Sequence, residues 1–173
     1  MPDIKALLAK AKPREGSTTI LLDGQVAGEI ERLEAELLTV SEDWTPSDLT
    51  EVSPARKISE QIAKLRKRAR ASEAVFRFRY VGDEAYSSLL AAHPSKDPAE
   101  GFDSVTFPRA LIAASAVDPV MTEDDVKALF EVISQGDIKR LFDTAWDVHN
   151  ASGLVPFSLA ASALLAGLAG GGK

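Results

Sequence analysis

Apolar residues recur at helical spacing in two stretches of the first half of the chain. In the first stretch the intervals alternate between four and three residues, through Val26, Ile30, Leu33, Leu37 and Val40. The second stretch continues the same spacing through Ile58, Ile62, Leu65 and Ala69. The segment between them is rich in proline, serine and aspartate, which break helices. Because intervals of four and three are typical of a coiled-coil seam, we predict an antiparallel helical hairpin.

The two predicted helices carry opposite charge. The first has one arginine against the acids Glu29, Glu31, Glu34 and Glu36. The second has one acid, Glu60, against the bases Arg56, Lys57, Lys64, Arg66, Lys67, Arg68 and Arg70. An exposed ion pair contributes only about 0.2–1 kcal/mol, so the apolar seam supplies most of the hairpin's stability. The charges select the partner helix and its orientation.

A strand is predicted on each side of the hairpin. Residues 17–23, STTILLD, combine β-branched residues with leucines and end at an Asp-Gly turn. Residues 73–81, EAVFRFRYV, alternate strictly, with Phe76, Phe78 and Tyr80 on one face and a largely basic opposite face. The hairpin brings the strands together, so we predict a small two-stranded antiparallel sheet. A second copy of the chain can extend it, which makes these aromatic residues candidates for self-association.

The chain from residue 82 onward is predicted to be a compact helical unit. One helix begins at Gly82-Asp83 and stops before Pro94, and a second begins at Thr106-Phe107-Pro108. We expect the second helix to continue to Pro119, with Leu111, Ile112, Ala114 and Val117 in the core. A capping box at Thr122, a helix with Leu141 and Trp146, and a last helix after Pro156 follow. The fold class is therefore mainly α with a minor β element, divided into residues 1–81 and 82–173.

The sequence contains no recognisable centre for catalysis or metal binding. It has no cysteine, which excludes disulfides and thiolate metal sites and is typical of a reducing cytoplasm. His93 and His149 each stand alone, without the spacing of a zinc site or a catalytic triad. No nucleophile elbow, dinucleotide-binding motif or phosphate-binding loop occurs. We therefore expect neither an enzyme nor a cofactor.

Charge and hydropathy narrow the range of partners. Residues 154–169 are apolar, but proline and glycine interrupt them and they fall short of the roughly 20 residues that cross a bilayer. No membrane partner is therefore expected. The net charge of −6 argues against binding of the whole molecule to nucleic acid. The basic run at residues 64–70 remains a candidate for such binding, although pairing with the acidic helix is the favoured interpretation.

The succession of motifs resembles a tail assembly chaperone of long-tailed, siphovirus-type bacteriophages that infect actinobacteria. The resemblance covers residues 17–157 and includes TTILLDGQVAGEIERLEAEL, a basic helix, the FRFR strand, AYSSLLAAHP, TFPRALIAASAVDP, LFEVISQGDIKRLFDTAWDVH and VPFSLAAS. The order of the pieces is more specific than any one of them. The long loop around residues 44–54 departs from the family's pattern.

The resemblance implies a binding function in the host cell cytoplasm. Such chaperones coat the tape measure protein, keep it soluble, recruit tail tube protein around it, and are not expected in the mature virion. The resemblance also implies a homo-oligomer and a frameshift-extended form of the same protein as partners. The codons for Gly172-Lys173 are compatible with a run of G followed by a run of A in the messenger RNA. Such a slippery sequence is suitable for a programmed ribosomal frameshift.

For the tape measure contact, the sequence directs attention to the helical unit from residue 82 to residue 146 or to the apolar final helix, with large aromatic residues as anchors. Phe102, Phe107 and Trp146 are the candidate anchors, with ordinary core packing as the alternative for each. Two functions are alternatives to the chaperone. The first is a small nucleic-acid-binding regulator that uses residues 64–70, and the second is a structural component of the tail.

Overall fold

Seven helices and three short strands make up the part of the chain that the structure describes. This computed structural model describes residues 3–43 and 53–152, without the side chains of residues 41–43. The elements are α1 (Ile4–Leu8), β1 (Glu15–Leu21), α2 (Gly24–Asp43), α3 (Pro54–Ala71), β2 (Glu73–Arg79), α4 (Asp83–Ala92), α5 (Phe107–Ser115), β3 (Ala116–Asp118), α6 (Glu123–Phe130) and α7 (Gln135–Asn150). The predicted class, mainly α with a minor β element, is confirmed. The last helix, predicted after Pro156, lies outside the described residues.

Helices α2 and α3 form the predicted hairpin. Leu33, Ile58 and Ile62 are buried along its seam, and Ile30, Leu37, Val40 and Leu65 pack around them. The opposite charges meet across the hairpin, because the Arg66 guanidinium donates to Glu34 at 2.7 Å. A second such pair joins Arg68 to Asp23 at 2.9 Å. The periodic apolar positions therefore identified the hairpin, and the charges hold it in register at its surface.

The sheet has three antiparallel strands in the order β1-β2-β3, and not two. The predicted pair is present, with Glu15 opposite Arg79 and Leu21 opposite Glu73. The third strand corrects the expectation that the helix at residue 107 continues to Pro119. Helix α5 ends at Ser115, and Ala116 then pairs with Phe78 of β2.

Two physical effects end helix α5 early. A residue that precedes proline is disfavoured in the helical region, which applies to Asp118 before Pro119. The open edge of β2 also offers hydrogen bonds that an isolated helical turn cannot replace. As a result Val117 is only half-buried in the strand. Ala114, also predicted to lie in the core, is still within α5 but lies on its exposed side.

The helix starts predicted at Gly82-Asp83, Thr106-Phe107 and Thr122 are confirmed. Gly82 precedes α4 with a φ of +97°, a left-handed conformation that glycine adopts at low cost. Thr122 and Asp125 form a reciprocal capping box at α6, in which the Asp125 amide donates to the Thr122 hydroxyl at 3.2 Å. These starts depend on neighbouring residues alone, which is why the sequence located them.

One core joins the sheet to the C-terminal helices. Phe78 of β2 is fully buried and lies in one cluster with Phe107 and Leu111 of α5 and Leu141 of α7. Ile20 of β1 belongs to the same cluster. The predicted division after residue 81 stays a prediction, while this cluster contains residues from both sides of it.

Strand β1 approaches helix α7 very closely at Gly16. A Cβ atom built on Gly16 would lie 2.9 Å from Val148 Cγ1 and 3.4 Å from Thr144 Cγ2. Such a distance is shorter than packed carbon atoms tolerate, so only glycine allows the strand to lie this close to the helix. The sequence reasoning gave Gly16 no such role, because the contact joins residues far apart in the chain.

We therefore predict that Gly16→Ala destabilises the protein by about 1–3 kcal/mol, because the added methyl group forces β1 away from α7. Gly28→Ala is the matched control. It lies inside α2 with open space around its Cα, and should stabilise the protein by up to about 1 kcal/mol through helix propensity. Urea unfolding of both variants and the wild type measures these differences. An unchanged or increased stability of Gly16→Ala would contradict the close packing.

Candidate binding surfaces

The predicted anchor residues lie together in one aromatic cluster. The ring centroids of Phe102 and Phe107 are 4.4 Å apart, and those of Phe102 and Trp146 are 5.4 Å apart. Phe142 of α7 joins them, with its centroid 5.8 Å from that of Trp146. These separations are typical of aromatic packing. The polar loop between α4 and α5 carries Phe102, so the cluster fastens that loop to α7.

The three anchors differ in their access to a partner. Phe107 is fully enclosed and contributes to the core, so its ring has no surface to offer. Phe102 and Trp146 are half-buried and pack against that core from outside. Partner contact by these two residues stays a prediction, whereas Phe107 supports them from beneath.

An open apolar groove lies beside this cluster, where the start of α5 faces the end of α6 and the start of α7. Its volume is about 450 Å³. The apolar part of its lining consists of Val105, Pro108, Phe130, Ile138 and Phe142. Phe142 belongs to both the groove and the aromatic cluster, so the two surfaces are continuous. Sequence reasoning missed the groove because its lining comes from three separate segments.

Arg109 lies in this groove and has no ionic partner among residues 3–43 and 53–152. Its guanidinium carbon is 6.0 Å from the centroid of the Phe130 ring, within the range of a cation–π contact. Its Nε atom is buried and has no hydrogen-bond acceptor among the described residues. Glu131 and Lys139 also line the groove, and both are exposed to water. Arg109 therefore provides a half-buried guanidinium beside apolar side chains that forms no ion pair within the described residues.

The aromatic face of β2 lies against the chain's own core. Phe76 and Phe78 are 5% and 0% exposed, and Tyr80 is half-buried with its ring 5.3 Å from that of His149. Self-association through these rings, which we predicted from the alternation, would have to displace that packing. The opposite face is exposed, and there Arg79 and Arg77 donate to Glu15 at 2.7 Å and 3.0 Å. Both bonds lower the pKa of the Glu15 carboxyl, and the bond from Arg79 has the larger effect.

The basic run at residues 64–70 is only partly neutralised. Arg66 and Arg68 pair with acids of the hairpin, as expected from the charge pattern. Lys64, Lys67 and Arg70 are exposed and form no ion pair with any residue in the described ranges. A small positive surface therefore remains on α3.

His149 connects α7 to the end of β2. Its Nε2 accepts the Val81 amide at 3.3 Å, and its Nδ1 lies 2.7 Å from the Ala145 carbonyl. A ring that accepts at Nε2 and donates at Nδ1 is neutral. Its ring also stacks on Tyr86 at 5.0 Å. Burial lowers the pKa of His149, although the bond to the Ala145 carbonyl acts in the opposite direction.

His93 occupies a different setting at the end of α4. Its Nδ1 lies 3.0 Å from the Thr106 hydroxyl, which links the end of α4 to the start of α5. The two histidines are thus in separate places and serve local structure. Among residues 3–43 and 53–152, no group of three or more histidine, aspartate or glutamate side chains is arranged to hold a metal ion. None of the helices described is both long and apolar enough to span a bilayer.

We predict that His149 makes stability depend on pH. Because its pKa is lowered in the folded state, the unfolded chain takes up the proton first as the pH falls below the ordinary histidine value near 6.5. Its contribution is therefore full above about pH 6.5 and is lost as the pH falls towards the folded pKa. His149→Phe keeps a stacking ring but has no proton to bind. Between pH 7.5 and 5.5 the wild type should lose more unfolding free energy in urea than this variant, and equal losses would contradict the assignment.

Comparison with known proteins adds no family or relative. No family model, curated protein or solved structure matches the chain. The surfaces described above are therefore interpreted from their own chemistry and from the succession of sequence motifs.

Proposed function

We propose that this protein is a phage tail assembly chaperone that binds the tape measure protein. In this proposal it keeps that protein soluble in the host cytoplasm and promotes assembly of the tail tube around it. The order of sequence motifs suggested the function. The observation that carries the proposal is the apolar groove that continues into the half-buried rings of Phe102 and Trp146.

The shape and chemistry of the groove suit a helical ligand. A tape measure protein is expected to be long, helical and apolar along one stripe, and helix-in-groove binding requires a complementary apolar surface with a few anchors. Val105 is 61% exposed at the groove, so a partner can bury it without unfolding the protein. A groove of this size supports modest affinity, which a chaperone needs in order to release its ligand during assembly.

Further partners belong to the same proposal. They are the frameshift-extended form of the protein, the tail tube protein and a second copy of the chain. The chaperone acts by binding alone and leaves before the mature virion forms. Because the rings of Phe76 and Phe78 are buried in the core, the surface of the hairpin is the better candidate for self-association.

The first test is co-expression with the tape measure protein of the same genome. The tape measure protein should move from the insoluble to the soluble fraction and copurify with this chain. Val105→Glu places a charge in the groove and should reduce the copurified amount at least tenfold, because the charge cannot be desolvated cheaply.

Val120→Glu is the matched control, since Val120 is 80% exposed and does not line the groove. It should behave like the wild type. If the wild type neither solubilises nor retains the tape measure protein, the proposed function is wrong. If both variants instead reduce the copurified amount of tape measure protein equally, the groove is not the contact surface.

A nucleic-acid-binding regulator is the second candidate, and the unpaired Lys64, Lys67 and Arg70 are the observation that favours it. We predict no salt-sensitive gel shift with RNA or DNA, because the net charge of −6 opposes phosphate binding. A shift that weakens on replacement of Arg66, Lys67, Arg68 and Arg70 would favour the regulator. Detection of the chain by mass spectrometry in purified mature particles would favour a structural tail component.

A further inference from the structure

Arg109 is the one arginine of the described chain that combines partial burial, an apolar setting and the lack of an ionic partner. Arg32, Arg56, Arg66, Arg68, Arg77, Arg79 and Arg140 all pair with carboxylates. Arg14 donates to the carbonyls of residues 151 and 152, and Arg70 is exposed to water. Arg109 therefore differs from the others in keeping unused donors next to a groove.

An unused donor of this kind costs stability in the free protein. A guanidinium carries five N–H donors, and a buried donor without an acceptor loses its hydration without compensation. The cation–π contact with Phe130 satisfies the ring-facing side of the guanidinium but accepts no hydrogen bond at Nε. The two terminal nitrogens are not buried and form no hydrogen bond within the described residues, so an acceptor on a ligand can reach them.

The chemistry of that acceptor follows from the guanidinium. Its planar fork matches a carboxylate, which accepts two parallel hydrogen bonds from the two terminal nitrogens. The apolar lining around Arg109 shields such a pair from water and strengthens it. Glu131 and Lys139 line the groove too, but both are exposed, so water screens their charges. The preferred ligand therefore carries one acidic side chain among apolar ones.

We propose that the groove binds an amphipathic helical segment of the tape measure protein whose aspartate or glutamate pairs with Arg109. This assignment rests on the proposed function and adds the identity of the segment. Apolar side chains one helical turn apart fill the lining formed by Val105, Pro108, Ile138 and Phe142. The ligand's carboxylate lies on the same face of its helix, three or four residues from an apolar anchor.

The test uses the full-length chain and overlapping labelled peptides that cover the tape measure protein, with affinity measured by fluorescence anisotropy. Arg109→Met keeps the length and apolar contacts of the side chain but removes its charge and donors. It should weaken binding of the recognised peptide about ten- to a hundredfold. Arg109→Lys should restore only part of the affinity, because an ammonium group lacks the planar fork.

Arg140→Met is the matched control, since Arg140 is exposed on α7 and does not line the groove. It should change the affinity by no more than about twofold, because an exposed ion pair contributes little. Urea unfolding of Arg109→Met should show unchanged or higher stability, since the substitution removes an unsatisfied donor. This result separates a binding defect from a folding defect.

Replacement of the peptide's aspartate by asparagine, or of its glutamate by glutamine, completes a double-mutant cycle. Arg109→Met should have no further effect on the amide peptide. If the wild type binds a peptide and Arg109→Met binds it equally well, the Arg109 assignment is wrong while the chaperone function stands. If no peptide binds and no complex copurifies, the proposed function itself is wrong, and the assignment of this ligand with it.

Discussion

The burial of one face of β2 is the constraint on which the rest of the structure depends. Phe78 is fully buried and Phe76 nearly so, and β2 is hydrogen-bonded on both edges, to β1 and to β3. The hairpin connects β1 to β2, so the packing of this strand also anchors α2 and α3. Helices α5 and α7 cover the same face through Phe107, Leu111 and Leu141. Exposure of these rings would remove the common support of the hairpin, the sheet and the helices.

The same packing creates the proposed binding surface as a consequence. Helix α7 has two apolar sides. Leu141, Ala145 and Val148 face the core, whereas Ile138 and Phe142 line the groove. The close approach of Gly16 holds α7 against the sheet, which fixes the direction of its second side. Helix α7 therefore packs in the core with one side and lines the candidate site with the other. Such a preformed surface lowers the entropic cost of binding.

Local patterns predicted the elements well where their causes are local. The interval pattern located the hairpin, strict alternation located β2, a glycine located the start of α4, and a capping box located the start of α6. The same reasoning failed at Val117, because a helical pattern continued in the sequence while the edge of β2 offered a better partner. It also failed at Ala114, which is helical as predicted but lies on the exposed side of α5. It also placed Phe76 and Phe78 among candidates for self-association, since alternation identifies an apolar face but not what covers it.

The sequence by itself determined the mainly helical class, the charge-matched hairpin, the antiparallel pairing of its flanking strands, and a set of aromatic residues worth attention. Only the tertiary structure decided which of those aromatic residues are accessible, where α5 gives way to β3, and that Arg109 faces an apolar groove without an acceptor. The physical reason is the range of the interactions. Periodicity and capping act within a few residues, whereas burial and charge compensation depend on neighbours that only folding brings together.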